Sequence, residues 1–170
     1  YDRQILYLAA QEIGAESVSI ESVNQLAYEK GGIGTAGITG VMGIGNIPVY
    51  NQMFLEQAKV IQKLASQKTC VFLGRCADFV LKNLENHYSF FIYADDEFKE
   101  KRTKELYGNA SVEDLHKEDK NRADYYQYYT GQKWGDCGNY DMMINTSKIS
   151  LEDAADLIIA YVEHRQKNKA

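Results

Sequence analysis

Proline is nearly missing from this chain, with one residue, Pro48, in 170. A chain so poor in proline has no proline-rich linker and suits a helix-rich body. Cysteine is scarce and odd in number: Cys70, Cys76 and Cys137. None forms a CxxC pair, so neither a disulfide framework nor a zinc site is indicated. A reduced, cytoplasmic compartment fits that usage best. No apolar run approaches the ~18 residues needed to span a bilayer. The opening YDRQILYLAAQEIG is amphipathic and carries Asp and Glu, unlike a secretory signal. Excess positive charge is also lacking, because the net charge is −5. That balance argues against a non-specific nucleic-acid or membrane-surface binder and leaves room for a local cationic pocket. Internal repeats and low-complexity tails are absent as well.

What remains is ordinary globular material, 45% hydrophobic and 25% charged, and the length suits one domain spanning residues 1–170. Asp2 reads as an N-cap, with Ile5, Leu6, Ala9 and Ile13 at helical spacing and Gly14 closing the helix. A second helix opens at Ser19. Residues 31–45, GGIGTAGITGVMGIG, hold seven glycines and read as a mobile loop or loosely helical flap. Asn51 is expected to cap a helix to Ser66, with Phe54, Leu55, Ala58 and Ile61 facing inward. Three strands follow, Cys70–Leu73, Ser89–Tyr93 and Met142–Ile144, the first with the content of a buried strand. Helices over 76–84, 97–106, 112–129 and 151–165 separate and follow them. Ser111 with Asp114 and Ser150 with Asp153 match capping boxes. Strand and helix in alternation predict a parallel sheet.

Arginine is rare, with five residues against fourteen lysines. Where lysine is the default cation, an arginine suggests planar recognition of an anion. Arg75 stands out because it follows the apolar run Cys70–Leu73 and Gly74. Ligands of parallel α/β sheets bind beyond the carboxyl ends of strands. Phosphate binding leads the alternative of a surface arginine that caps carbonyls or pairs with a carboxylate.

Four segments, GRCADFVLKN, FFIYADDEFKEKRTKELYG, EDKNRADYYQYYTGQKWGD and NYDMMINTSKISLEDAADLI, resemble in order the cytidylate kinase-like family of P-loop nucleoside monophosphate kinases. The resemblance implies a three-layer α/β fold of five parallel strands wrapped by helices. It also implies phosphoryl transfer from ATP to a nucleoside monophosphate, CMP or dCMP, with Mg2+. An acceptor-binding helical region would span 14–66 and a lid region 102–135. Through the matching motifs, Asp2 and Arg3 fall at the monophosphate site and Arg75 at the acceptor phosphate. Arg102 falls on a cationic helix near the donor. Asp119, Lys120 and Arg122 fall on the lid helix, and Asp141 and Asn145 at a strand end. Arg75, Arg102 and Arg122 are the expected catalytic cations. Small-molecule nucleotides are the expected partners, with no nucleic acid or membrane, and no residue is assigned as a metal ligand.

Two departures bear on function. Members of the family have GRD at the turn, the Asp reading the base, whereas here GRCAD places Asp78 two residues later. Members also carry a strand and a glycine-rich phosphate loop ahead of YDR. The expectation is that the natural protein has roughly 25–30 residues more, the size of a strand–loop–helix unit. A chain starting at Tyr1 is then expected to lack kinase activity. A non-catalytic nucleotide-binding or regulatory protein, or a kinase of another small phosphate acceptor, are the rival readings.

Individual residues have plainer alternatives. Arg102 can pair with Glu105 and Arg122 with Glu118 or Asp119. Tyr125, Tyr126, Tyr128, Tyr129 and Trp134 read as packing ahead of base stacking. Asp95 and Asp96 can help hold magnesium, though one capping the next helix is the simpler reading. Cys76 reads as a buried small residue ahead of a reactive thiol.

Overall fold

The structure is a computed structural model that describes residues 1–12, 49–107 and 111–169. The stop at Gly14, the helix from Ser19 and the glycine-rich stretch 31–45 lie outside these residues. The described elements are α1 (Arg3–Glu12), α2 (Val49–Gln67), α3 (Ala77–Leu81), β1 (Phe90–Tyr93), α4 (Asp96–Tyr107), α5 (Val112–Thr130), a 3-10 turn (Cys137–Asn139), β2 (Met142–Asn145) and α6 (Leu151–Lys167). The chain is thus a helix-rich mixed α/β protein with a small parallel sheet. It divides into two compact units, Tyr1–Asn83 with Asn121–Trp134, and Leu84–Lys120 with Gly135–Ala170.

In the first unit, Ile5, Leu6, Ala9 and Ala10 form one buried face of α1, at helical spacing. α2 packs against α1 and α3. Its buried stripe is Met53, Gln57, Val60 and Ile61. Leu55, expected inside, is 48% exposed. At 3.6 residues per turn it lies two positions from Met53, on the opposite side of the helix. Asn51 does not cap the helix, which begins earlier, at Val49; its Oδ1 accepts the Tyr129 hydroxyl at 3.2 Å. Ile5, Val60, Ile61, Ala77 and Leu81 make one core cluster, with Tyr1, Leu64 and Phe72 against it. Burying an Ile or Leu side chain contributes about 1.5–3 kcal/mol.

The segment 70–73 is extended but is not a strand of the described sheet. The Tyr1 amino group donates to the Val71 carbonyl at 2.6 Å, and the Leu73 N–H donates to the Tyr1 carbonyl at 2.9 Å. This is the pattern of one rung of a parallel ladder. The expectation of a buried strand is corrected for Val71 and Leu73, which are 74% and 62% exposed. Side chains alternate along an extended segment, and Phe72 is the one that turns inward, stacked on Tyr1 at 5.7 Å.

In the second unit, β1 and β2 pair in parallel, in the register Phe90 with Met142 through Tyr93 with Asn145. Two of the three expected strands are therefore present as expected. Tyr161 of α6 packs edge-on against Phe90 and Tyr88. Phe91 lies against Tyr140 and under Gly135. At Gly135 φ is +73° and a Cβ would sit 3.2 Å from the Phe91 ring, so any larger residue there is strained and must displace the ring. The Ser111–Asp114 capping box forms reciprocally: the Asp114 N–H donates to Ser111 Oγ at 3.1 Å and the Ser111 N–H to Asp114 Oδ2 at 3.2 Å. Ser150 likewise caps α6, its Oγ accepting the Asp153 N–H at 3.0 Å. Among the described residues no helix is long and apolar enough to cross a membrane.

Candidate functional site

The first unit concentrates the chemistry at the turn after residue 73. Gly74, Arg75 and Cys76 have φ of 66°, 59° and 54°, three left-handed residues in succession. For an L residue that conformation costs roughly 1–2 kcal/mol. Cys76 therefore cannot join the helix expected from 76 to 84, which shortens to Ala77–Leu81. The Ala77 N–H closes the turn on the Gly74 carbonyl at 3.1 Å. The Arg75 side chain is only 8% exposed and its Nη2 lies 3.5 Å from Asp2 Oδ1. Asp2 precedes α1, and its carbonyl accepts the Ile5 N–H at 3.1 Å. Arg3 is exposed on the first turn of α1. The structure thus joins two of the sequence-predicted acceptor residues, Asp2 and Arg75.

Asp78 follows on α3, its Oδ2 accepting the Tyr126 hydroxyl at 2.5 Å. That hydroxyl also lies 3.1 Å from the Gln132 carboxamide oxygen. The sequence reading of Tyr126 as packing ahead of base stacking does not include this bond; the two partners are 48 positions apart, and nothing local signals the contact. The packing expectation holds for the ring: Cys76, Tyr125 and Tyr126 are buried together, with Phe54, Phe79, Tyr129 and Trp134 around them. Burial first, then the Asp78 charge, pushes the Cys76 thiol up to about 12. A thiol so held is almost wholly protonated at neutral pH and a poor nucleophile. In the native protein at pH 8, iodoacetamide is therefore expected to label the exposed Cys137 well before Cys76. Rapid labelling of Cys76, read by peptide mass, would contradict its burial.

In the second unit the carboxyl ends of β1 and β2 carry Asp95, Asn145, Ser147 and Lys148. Asn145 donates to Asp95 at 3.2 Å, and the Asp95 N–H donates to Ser147 Oγ at 2.7 Å. Lys148 lies 3.2 Å from the Asp95 carboxylate. The Asn145 amide first, then Lys148, holds that carboxyl below the usual range. The Asp95 carbonyl accepts the Lys99 N–H at 3.0 Å, the first bond of α4, which puts Asp95 at the N-cap position expected for one of these two aspartates. Asp141, expected with Asn145, stands at the opposite edge, where the parallel strands begin. Its carboxylate accepts the Ser89 N–H at 2.7 Å and the Tyr161 hydroxyl at 2.9 Å, and lies 3.6 Å from Arg165. That is a structural clamp at the end of the sheet away from the expected ligand side.

On α4 and α5, Lys99 bridges Asp119 at 2.9 Å and Asp96 at 3.7 Å. His116 lies 2.9 Å from Asp96 and is the main reason its carboxyl sits low. Arg102 is exposed, and the pair with Glu105 is not among the ion pairs of the described residues. Arg75 and Arg122 belong to the first unit, while Arg102, Asp119, Lys120 and Asn145 belong to the second. Among the described residues no three His, Cys, Asp or Glu side chains gather to hold a metal. Asp95 and Asp96 are already engaged by Lys148 with Asn145 and by His116 with Lys99. They do not fit a dedicated magnesium cage.

The first unit thus holds an arginine on a left-handed turn, and the second a small parallel pair packed with helices, a helix-rich mixed α/β protein. The cytidylate kinase-like family model matches residues 1–148, and the chain belongs to that family. Membership points to nucleotide kinase chemistry, with nucleotide and metal use in general. The chain is also similar to an uncharacterised protein from Eubacterium ventriosum ATCC 27560. The two share 29% identity and a TM-score of 0.64, over 93% of this chain and 91% of the other. No curated protein matches the chain.

Proposed function

We propose that the protein transfers the terminal phosphoryl group of ATP to a nucleoside monophosphate, CMP or dCMP, in the cytoplasm. The observation that carries this reading is the Arg75 guanidinium, buried on the Gly74–Cys76 turn in a chain of this family. A conformation that costs energy in two non-glycine residues persists where function rewards it. Arg75 grips the acceptor phosphate, its fork offering paired N–H donors, with Asp2 and Arg3 beside it. Asp78 reads the base. Arg122 and Arg102 supply positive charge to the transferring group, and Asp119 and Lys120 belong to the lid over 102–135. Arg102 and Asn145 serve the ATP side. The fold completing this assignment is the three-layer parallel sheet of P-loop nucleoside monophosphate kinases, as one domain, with the acceptor region over 14–66. Mg2+ accompanies ATP and offsets phosphate charge.

Catalysis of this type rests on holding two phosphates in line, excluding water and stabilising charge on the oxygens. Removing one such cation costs about 2–4 kcal/mol of transition-state stabilisation, by analogy with a lost oxyanion donor. Arg122→Ala is expected to lower turnover by orders of magnitude at nearly unchanged melting temperature. An active variant would remove Arg122 from the site.

A kinase for another small phosphate acceptor is the second reading. The bond from Tyr126 to Asp78 favours it, because it already occupies the carboxylate expected to read a base. Full-length protein screened by coupled ADP release, with a panel of monophosphates, separates the two. CMP and dCMP are expected to accelerate release most. A different preferred acceptor selects the second reading, and no acceleration with any leaves a non-catalytic nucleotide binder.

A further inference from the structure

Asp2 is an acid at a place where phosphate binding wants positive charge, and the backbone puts it there. The Leu73 N–H donates to the Tyr1 carbonyl at 2.9 Å, and the rings of Tyr1 and Phe72 stack at 5.7 Å. Asp2 follows Tyr1 directly and Arg75 comes two residues after Leu73, so this rung brings the two side chains together. The contact they make is loose. Asp2 Oδ1 lies 3.5 Å from Arg75 Nη2. A strong charge-assisted hydrogen bond is about 2.7–2.9 Å long. Their surroundings are unequal, because the Arg75 side chain is 8% exposed and that of Asp2 51%. A guanidinium so buried is costly without an anion beside it. A half-exposed carboxylate loses little by turning into water. The positive end of α1, which begins at Arg3, favours its charge after it turns. Because Asp2 stands half in water, the end of the guanidinium beside it is the end that an anion from solvent reaches.

We propose that Asp2 is a specificity-determining residue, a displaceable counter-charge that holds the Arg75 guanidinium until the phosphate of the acceptor takes its place. The inference rests on the monophosphate-acceptor reading above and adds to it what the neighbouring acid does. A phosphate displaces the carboxylate because it brings more negative charge and two oxygens for the paired N–H donors. A nucleoside without phosphate brings neither, so Asp2 stays where it is. The acid therefore competes with every phosphate-bearing ligand, product included, and is indifferent to an uncharged one.

The test measures CMP and cytidine binding by calorimetry and CMP turnover by ADP release, on the full-length wild type, Asp2→Asn, Asp2→Ala and Asp2→Glu. Asparagine keeps the shape and capping ability of Asp2 without its charge. Asp2→Asn and Asp2→Ala are expected to tighten CMP about 3–10-fold, since one partner of the broken pair is buried. KM should fall to match, without a rise in kcat. Asp2→Glu keeps the charge and should not tighten CMP. Cytidine binding should be the same in all four proteins. CMP affinity unaltered or weakened in the folded Asn or Ala variant overturns the proposal, because an acid that only orients Arg75 or touches the acceptor would loosen the ligand when removed. So does an equal gain for cytidine, an equal gain in Asp2→Glu, or failure of CMP to bind wild type. Tighter CMP binding in Asp2→Asn without any ADP release would keep this assignment and end the kinase reading. Turnover of CMP with unaltered affinity in Asp2→Asn would do the reverse.

Discussion

Arg75→Ala and Arg75→Lys are each expected to lower turnover about 100–1000-fold, the loss typical of one stabilising donor at a reacting centre. Lysine should not rescue, because an ammonium cannot present two parallel N–H groups to a phosphate. Stability should move little in comparison. Asp2, whose carboxylate lies beside Arg75, is 51% exposed and can rehydrate when the guanidinium is gone. Arg75→Gly serves as the backbone control. With φ at 59°, glycine avoids the left-handed cost that alanine retains, so Arg75→Gly should be about 1 kcal/mol more stable than Arg75→Ala. Both should be equally inactive. Wild-type turnover in any of the three would take Arg75 out of the reaction, and equal stability of the glycine and alanine variants would dispute the turn.

The second large effect is on folding. Asp141→Ala should lower stability by about 2–4 kcal/mol, since charge-assisted hydrogen bonds contribute ~1.5–3 kcal/mol each and buried donors would be stranded. Ser89 is buried, and its N–H and hydroxyl both address the Asp141 carboxylate, at 2.7 and 3.4 Å. Tyr161 donates to the other oxygen at 2.9 Å, and Arg165 donates in turn to the Tyr161 hydroxyl at 2.7 Å. Burial first, then the bond to Asp141, raises the Tyr161 phenol above its ordinary range. In a domain of this size the loss corresponds to about 5–15 °C in melting temperature. Asp141→Asn should fall between, keeping an acceptor without the charge. An Asp141→Ala variant melting within a degree of wild type would show that the clamp carries no stability.

Much of the architecture was legible because it is written in local signals. The two strands that pair, at 90–93 and 142–145, are short apolar runs bounded by turn-forming residues. The capping boxes at Ser111 and Ser150 are spaced to bond their own backbone, so they form wherever the helix forms. Asn51 misled for the same reason: a good cap residue is also a good hydrogen-bond partner, and Tyr129 took it. The run 70–73 misled because apolar content does not reveal how many neighbours a strand will find. Of the candidate site, Arg75 was legible as a rare arginine after a glycine. Its left-handed backbone and the Asp78–Tyr126 bond were not, since each depends on where distant segments meet.

The amino-acid order by itself determined the helix-rich α/β class, the parallel pair and the family, because periodicity, capping and motif order are properties of neighbours along the chain. Only the tertiary structure decided that Arg75 lies buried against Asp2 and that Asp141 clamps the starting edge of the sheet. Burial and pairing arise between residues far apart in sequence, and no local pattern records which of them will be drawn together when apolar surface leaves water.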